Sequence, residues 1–415
     1  MGVQGCSSSG GTTTALGQRR GGEGEAIKRR SATLTCYLAT ELDSISYTCT
    51  SATMTTQKRR LKVALFGLGR LGVIRAKVLA FQQPRVELVA VCDPKPGSEK
   101  WPAENLPSDV KFFADPTECL VHGGAEAVLI STATATHAPL IMQALDLGLH
   151  VMCEKPISID LDTTVEVLAK AATRPDVVFL IPFNRRYDDS YNTTKQFIES
   201  GALGDVHAVE TSCLDPQDPT GYFVSYSPMS GGIFLDMGIH DIDIGRGLLD
   251  VKSGLANPKK QVNRVIGFGQ QAVYGELAKY GDCDNAWGIV EFANGKIMTT
   301  HCGRTLTNGY EGQSRVLGTK GHCVVNGNSS RHRVEMHDVY GVRTFSNPDP
   351  FVLYEKSFIN DITDFVEGVL DGKPLVCDAQ DAYEAAKICN ALQYSFRKGQ
   401  PVYFDDEGYP IMDAK

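Results

Sequence analysis

The chain has no run of 18 apolar residues, about the least that crosses a bilayer as a helix, so neither a membrane-crossing segment nor a membrane partner is expected. None of its 12 cysteines forms a CxxC pair or a cluster, which argues against a disulfide framework and for reduced thiols in a cytoplasmic protein. HExxH and Cys/His groups are absent too, so no metal is expected. Basic charge is also short. Lys and Arg number 41 against 49 Asp and Glu; the first 60 residues hold 8 and 4 of these, leaving 33 basic against 45 acidic residues in the rest. Binding phosphates needs a net basic footprint, so nucleic acid is not the expected partner.

What is present reads as a globular protein of two domains and a remainder: 415 residues, 42% apolar and 22% charged. Residues 1–60 hold 18 Ser and Thr, glycine stretches near Gly10 and Gly21, and little apolar periodicity. Such a segment buries too little surface to offset chain entropy and is expected to be a disordered leader. Arg19, Arg20, Lys28, Arg29 and Arg30 among Ser and Thr have the composition of an organelle presequence, but Glu23, Glu25, Glu41 and Asp43 interrupt it. Met54 is an alternative start just before the first strand, and a cytoplasmic location is the favoured expectation.

From Leu61 the pattern alternates. LKVALFGLG is a buried strand ending on glycines, RLGVIRAKVLAFQ has helical spacing, and VELVAVCD is a second strand. AEAVLIST, LHVMCEKP and VVFLIPF continue as strands, with a helix capped by Gly148 and another near residues 163–173 between them. Strands alternating with helices predict a doubly wound parallel sheet, a Rossmann domain over residues 61–182. Beyond Phe183 longer, turn-linked strands follow, with Asn294-Gly295 as a hairpin signal. Helices near residues 233–249, 354–370 and 382–397 complete an α+β substrate domain over residues 183–415, built on a largely antiparallel sheet.

Gly67, Leu68, Gly69, Arg70, Leu71 and Gly72 have the GxGxxG spacing between a strand and a helix. Gly67 suits the tight turn, Gly69 the backbone approach to a pyrophosphate, and Gly72 close helix packing. The helix N-terminus supplies free N–H donors for that anion. Asp93 ends the next strand 21 residues after Gly72, where a carboxylate takes the ribose hydroxyls. NAD is therefore the expected cofactor, with NADP left open by the nearby Lys95. Farther on, Lys155 lies at the carboxyl edge of the sheet, where ligands of open α/β folds bind. In GGIFLDMGIHDIDIG, Asp236, His240 and Asp243 fall at i, i+4 and i+7. An α-helix would set them in one polar stripe, with the carboxylates orienting the imidazole and favouring its charged form.

These motifs, with STATATH, CEKP, PFNRRYD, GALGDVH and SGGIFLDMGIHDID, resemble the glucose-fructose oxidoreductase, inositol dehydrogenase and MocA (Gfo/Idh/MocA) oxidoreductases over residues 61–405, and among them the inositol and related polyol dehydrogenases. The resemblance implies hydride transfer between nicotinamide and a secondary hydroxyl of a cyclic polyol or sugar. It implies Lys155, Asp236 and His240 as the catalytic set, with Glu154 as a cofactor contact and Thr132 and His137 in the loop bordering the nicotinamide. Asp215, Arg185 or Arg186, and Tyr310 are implied on the substrate side, and a homodimer or homotetramer as the assembly. Leu214, Arg75 and Phe358 depart from the family pattern, and about four extra residues separate Asp215 from Asp236. Two other uses of the scaffold stay open: a catalytically inactive dinucleotide-binding regulator, and a tailoring reductase of a biosynthetic pathway.

Overall fold

A computed structural model describes residues 59–412 except 253–254, 328–329 and 333. The expected leader therefore lies outside the described residues, save for its last two. Those two belong to the folded body: Arg59 pairs with Glu126, and Arg60 donates to the Val86 carbonyl.

The first half forms β1 (Leu61–Phe66), α1 (Arg70–Lys77), β2 (Val86–Cys92), α2 (Lys100–Asn105), β3 (Lys111–Phe113), α3 (Pro116–His122), β4 (Ala127–Ile130), α4 (His137–Asp146), β5 (His150–Cys153), α5 (Leu161–Ala172) and β6 (Phe179–Leu180). The strands are parallel in the order β3-β2-β1-β4-β5-β6. Central strands covered on both faces read as unbroken apolar runs, and β4 is buried at every position. This sheet is the expected Rossmann architecture. Gly148, at φ +74°, follows the end of α4 as the helix-stop glycine the sequence announces. Not foreseen were the short helices α2 and α3, β3, only three residues long, and a π turn over Val78–Gln82 that ends the first helix.

The second half begins with α6 (Asp189–Glu199), β7 (Val206–Pro216), α7 (Tyr222–Tyr226) and α8 (Ile239–Leu248). It continues with β8 (Val262–Gln270), β9 (Asn285–Phe292), β10 (Ile297–Leu306), β11 (Glu311–Gly318), β12 (His322–Val325) and the short pair β13 (Met336–Asp338) and β14 (Gly341–Arg343). Last come α9 (Pro350–Leu353), α10 (Ser357–Asp371), α11 (Ala379–Lys398) and β15 (Val402–Tyr403). Seven strands pair in the order β12-β11-β7-β10-β9-β8-β15. Every contact is antiparallel except β7 with β10, so the sheet is mostly antiparallel as expected. The β9–β10 hairpin turns on Asn294-Gly295, where Gly295 has φ +81°.

The chain does not divide between the halves at one point. Helix α10 returns to the Rossmann half and packs near β1 and the π turn after α1. Gln83 donates to the Ile359 carbonyl at 2.7 Å, and Arg75 donates to Asp361 at 2.6 Å. The described residues accordingly form one compact unit.

Candidate active site

The glycine turn is built as its spacing implies. Gly67 sits at φ +93°, and a Cβ added there would run into the Ser131 carbonyl, so a side chain has neither the conformation nor the room. At Gly72 an added Cβ would run into the Gly67 carbonyl, whereas at Gly69 it would point into open space. No side chain caps α1 and no acidic residue stands in its first turn, so its amino end keeps its donors and its positive dipole for an anion. Asp93 braces the same turn: its carboxylate accepts from the Leu68 N–H at 2.7 Å, the Lys95 N–H at 2.9 Å and the Ser98 hydroxyl at 3.1 Å. The residues present fit a dinucleotide, with its pyrophosphate over Gly69 and a ribose beside Asp93.

At the carboxyl edge of the same sheet, β5 runs into Glu154, Lys155 and a cis Pro156. Lys155 Nζ donates to the main-chain carbonyl of Asp236 at 2.8 Å. Asp236 stands in a π turn, Phe234–Gly238, immediately before α8. Its carboxylate accepts from Arg304 of β10. Burial pushes the Asp236 carboxyl up, but Arg304 and Lys155 outweigh it and hold the group below the usual carboxylate range. Asp215, from β7, is pushed up by burial and by Asp236, against the pull of Arg304, Arg70 and Lys155. His240 lies on the first turn of α8 with Phe183 edge-on to its ring at 6.0 Å. Burial, then the charges of Lys155 and Arg185, hold its pKa well below the ordinary imidazole value. Its Nδ1 is enclosed without a partner, which leaves Nε2 as the ring atom toward the site. Two carboxylates, two cations and a neutral imidazole thus meet beside the cofactor cradle.

Residues 61–181 match the oxidoreductase family with an NAD-binding Rossmann fold, and residues 191–324 match the GFO/IDH/MocA C-terminal domain. A scyllo-inositol 2-dehydrogenase (NAD(+)) of Bacillus subtilis is 31% identical over 349 residues, 84% of this chain and 97% of its own. The chain belongs to the Gfo/Idh/MocA oxidoreductases. A myo-inositol 2-dehydrogenase of Thermotoga maritima is 29% identical over 348 residues, covering 83% and 99% of the two chains. Among solved structures, scyllo-inositol dehydrogenase of Lactobacillus casei with bound NAD(H) and scyllo-inositol superposes with TM-score 0.77 at 27% identity, over 83% of this chain and 99% of that one. The myo-inositol 2-dehydrogenase of Lactobacillus plantarum superposes with TM-score 0.78 at 27% identity, over 84% and 100%.

Within this Gfo/Idh/MocA chain the structure gives each expected site residue its own partners. Of the expected stripe of Asp236, His240 and Asp243, Asp236 stands in the π turn before α8 with its carboxylate on Arg304, and Asp243 is taken up elsewhere. Asp243 instead binds Arg186 through two bonds of 2.6 and 2.7 Å, and the imidazole is kept neutral rather than charged. Arg185 and Arg186 are each taken up by an acidic residue of α8. Arg185 is 1% exposed and pairs with the buried Asp241, so the two arginines strap the Asn184–Tyr187 turn to α8. Tyr310 is also internal: its hydroxyl meets Cys213 Sγ at 3.4 Å and its ring abuts Tyr354. His137 is 1% exposed, its ring set between the carbonyls of Pro156 and Thr132 at 2.8 and 3.1 Å. It ties the loop after β4 to the Lys155 loop. Thr132 itself accepts from the Thr136 hydroxyl at 2.7 Å within that loop. Glu154 gives its Oε1 to Arg75, at 2.7 and 3.0 Å.

Arg304 went unrecognised in the sequence, although a signal existed. Met298, Thr300 and Cys302 of β10 alternate inward, and Arg304 continues that parity. An arginine on the inward face of a strand must find a carboxylate.

Proposed function

We propose that this chain is an NAD-dependent dehydrogenase oxidising a secondary hydroxyl of a cyclic polyol of the inositol type. One observation carries the reading: a buried, neutral imidazole beside an ammonium at the open edge of a dinucleotide-binding sheet. When bound, the nicotinamide accepts the hydride. The protein moves the proton. His240 Nε2 takes the hydroxyl proton as the carbon gives up its hydride, and its low pKa keeps the ring free to do so at neutral pH. Lys155, held by the Asp236 carbonyl, donates a hydrogen bond to the same oxygen and stabilises its developing charge. Asp215 and Asp236 supply acceptors for neighbouring hydroxyls of a polyhydroxylated ring. Names of relatives support the substrate class, since inositol dehydrogenases match along nearly their whole length.

The test follows NADH formation across inositol isomers and aldoses. Turnover with an inositol is expected, with its acid limb below the ordinary histidine range. His240→Ala should lower kcat by about 10²–10⁴-fold, the usual contribution of a positioned acid or base. NAD binding without turnover on any member would overturn the substrate assignment and favour a regulator of the same fold.

The outer face of the seven-stranded sheet supports a second proposal, a homo-oligomer. Phe268, Trp287, Ile289 and Ile297 are exposed on adjoining strands, with Trp287 stacked on His301 at 4.3 Å. A broad apolar sheet face marks a surface suited to a partner.

A further inference from the structure

We infer that Arg304 is a positioning residue of the reaction, acting through Asp236 and, by way of its main chain, on Lys155. The inference rests on the proposed dehydrogenase reading and deepens it.

Arg304 is anchored before it reaches Asp236. Its strand lies beside β7, with Gly303 opposite Leu214, and its N–H donates to the Asp284 carbonyl at 2.8 Å. The guanidinium lies 4.0 Å over the Phe223 ring, and Nε faces Met237 Sδ at 2.9 Å. A planar cation stacked on an aromatic ring and directed along its edge has little rotational freedom left. Its Nη2 then donates to the Asp236 carboxylate. Asp236 is thereby gripped at its side chain by Arg304 while its own carbonyl grips Lys155 Nζ at 2.8 Å. Both contacts are made from one residue of the π turn, so a shift of its side chain is felt at its carbonyl.

Asp236 is surrounded by charge from several elements. Lys155 comes from the loop after β5, Arg70 from α1, Asp215 from β7 and Tyr226 from α7, with His240 one turn farther along. Among them Arg304 is the cation bonded to the Asp236 carboxylate, and it also attracts Asp215. Removing its charge leaves the two carboxylates to repel each other across a poorly solvated gap, so Asp236 takes up a proton at higher pH. Removing its grip releases the turn that carries the Lys155 anchor. A misplacement of about 1 Å is worth about 100-fold in rate.

The experiment compares full-length wild type, Arg304→Met, Arg304→Lys, Asp236→Asn and the Arg304→Met/Asp236→Asn double variant. Asp carboxylates labelled with ¹³C report the Asp236 titration by NMR, assigned by its loss in Asp236→Asn and readable without substrate. In Arg304→Met that titration should move up by about 1–3 pH units. Arg304→Lys should restore most of the titration but not kcat, since it keeps the charge and loses the fork. In the Asp236→Asn background, Arg304→Met should cost almost nothing further in kcat. An unmoved titration, or a full loss of kcat in both backgrounds, would overturn the inference. If wild type turns over no polyol the substrate reading fails separately, and the titration still judges Arg304. Thermal midpoints and NAD affinity close to wild type identify a folded variant, and where Arg304→Met fails that check Arg304→Gln, equally uncharged, carries the comparison.

Discussion

Replacing Arg75 with Met should expose how strongly the cofactor helix depends on a distant carboxylate. Arg75 is 1% exposed on α1, and its guanidinium bonds Asp361 of α10 at 2.6 Å and Glu154 at 2.7 and 3.0 Å, with the Phe358 ring 5.0 Å from Cζ. Removing the cation from such a buried group costs about 3–5 kcal/mol, because the remaining carboxylates stay desolvated and unpaired. Unfolding entropy of about 2.1 cal/mol/K per residue over roughly 350 residues gives about 0.7 kcal/mol/K, so the expected fall in Tm is about 4–7 °C. The fall should depend on pH. Burial raises the Asp361 carboxyl, against the pull of Arg75, to about 6. An unfolded aspartate titrates near 3.9, so between those values the folded state holds the extra proton and acid stabilises it, while above them the ionised carboxyl rests on Arg75. Met in place of Arg75 pushes that carboxyl higher still. Differential scanning calorimetry should therefore find the larger loss at pH 8 and a smaller one at pH 5.5, with Arg75→Met/Asp361→Asn recovering part of the loss at pH 8. Equal losses at both pH values, or no loss at pH 8, would refute this account of the triad.

Two further outcomes follow from the geometry. Gly72→Ala should unfold the Rossmann half or lower its Tm sharply, because its Cβ meets the Gly67 carbonyl, whereas Gly69→Val should leave Tm nearly unchanged yet weaken NAD binding in a fluorescence titration, because its side chain grows into the open cradle. Equal effects of the two on stability would contradict the assigned roles. Sedimentation velocity should find a dimer or tetramer, and Trp287→Glu on the exposed sheet face should shift it toward monomer; a wild-type monomer sinks the oligomer proposal.

The Rossmann half was legible because its signals are local. A buried run ending on GxGxxG, a carboxylate at the end of the next strand and a helix-stop glycine each determine their own neighbourhood. Strand β3 was not, since Lys111–Phe113 is too short for periodicity and is recruited by its partner β2. The site divides the same way. Lys155 and His240 were found at the sheet edge and in the helix entry, but the π turn that carries Asp236 was not, since an i, i+4 count reads the segment as continuous α-helix. The family resemblance implied a substrate-side role for Arg185 or Arg186, while Asp241 and Asp243, the partners the structure gives them, lie more than 50 residues away. Pairing between distant buried charges is a tertiary property, and Arg304 with Asp236 is the same case.

The return of α10 to the Rossmann half also bears on the order of synthesis. Arg75 and Glu154 leave the ribosome well before Asp361, with roughly 200 residues still to be made, which at about 5–20 residues per second is about 10–40 s. Throughout that interval the nascent nucleotide-binding half displays an uncovered flank and a guanidinium lacking one of its two carboxylates. A helix made some 200 residues later thus completes the first domain, and a stop codon placed anywhere before Ser357 removes the cover of the cofactor helix as surely as a mutation within it.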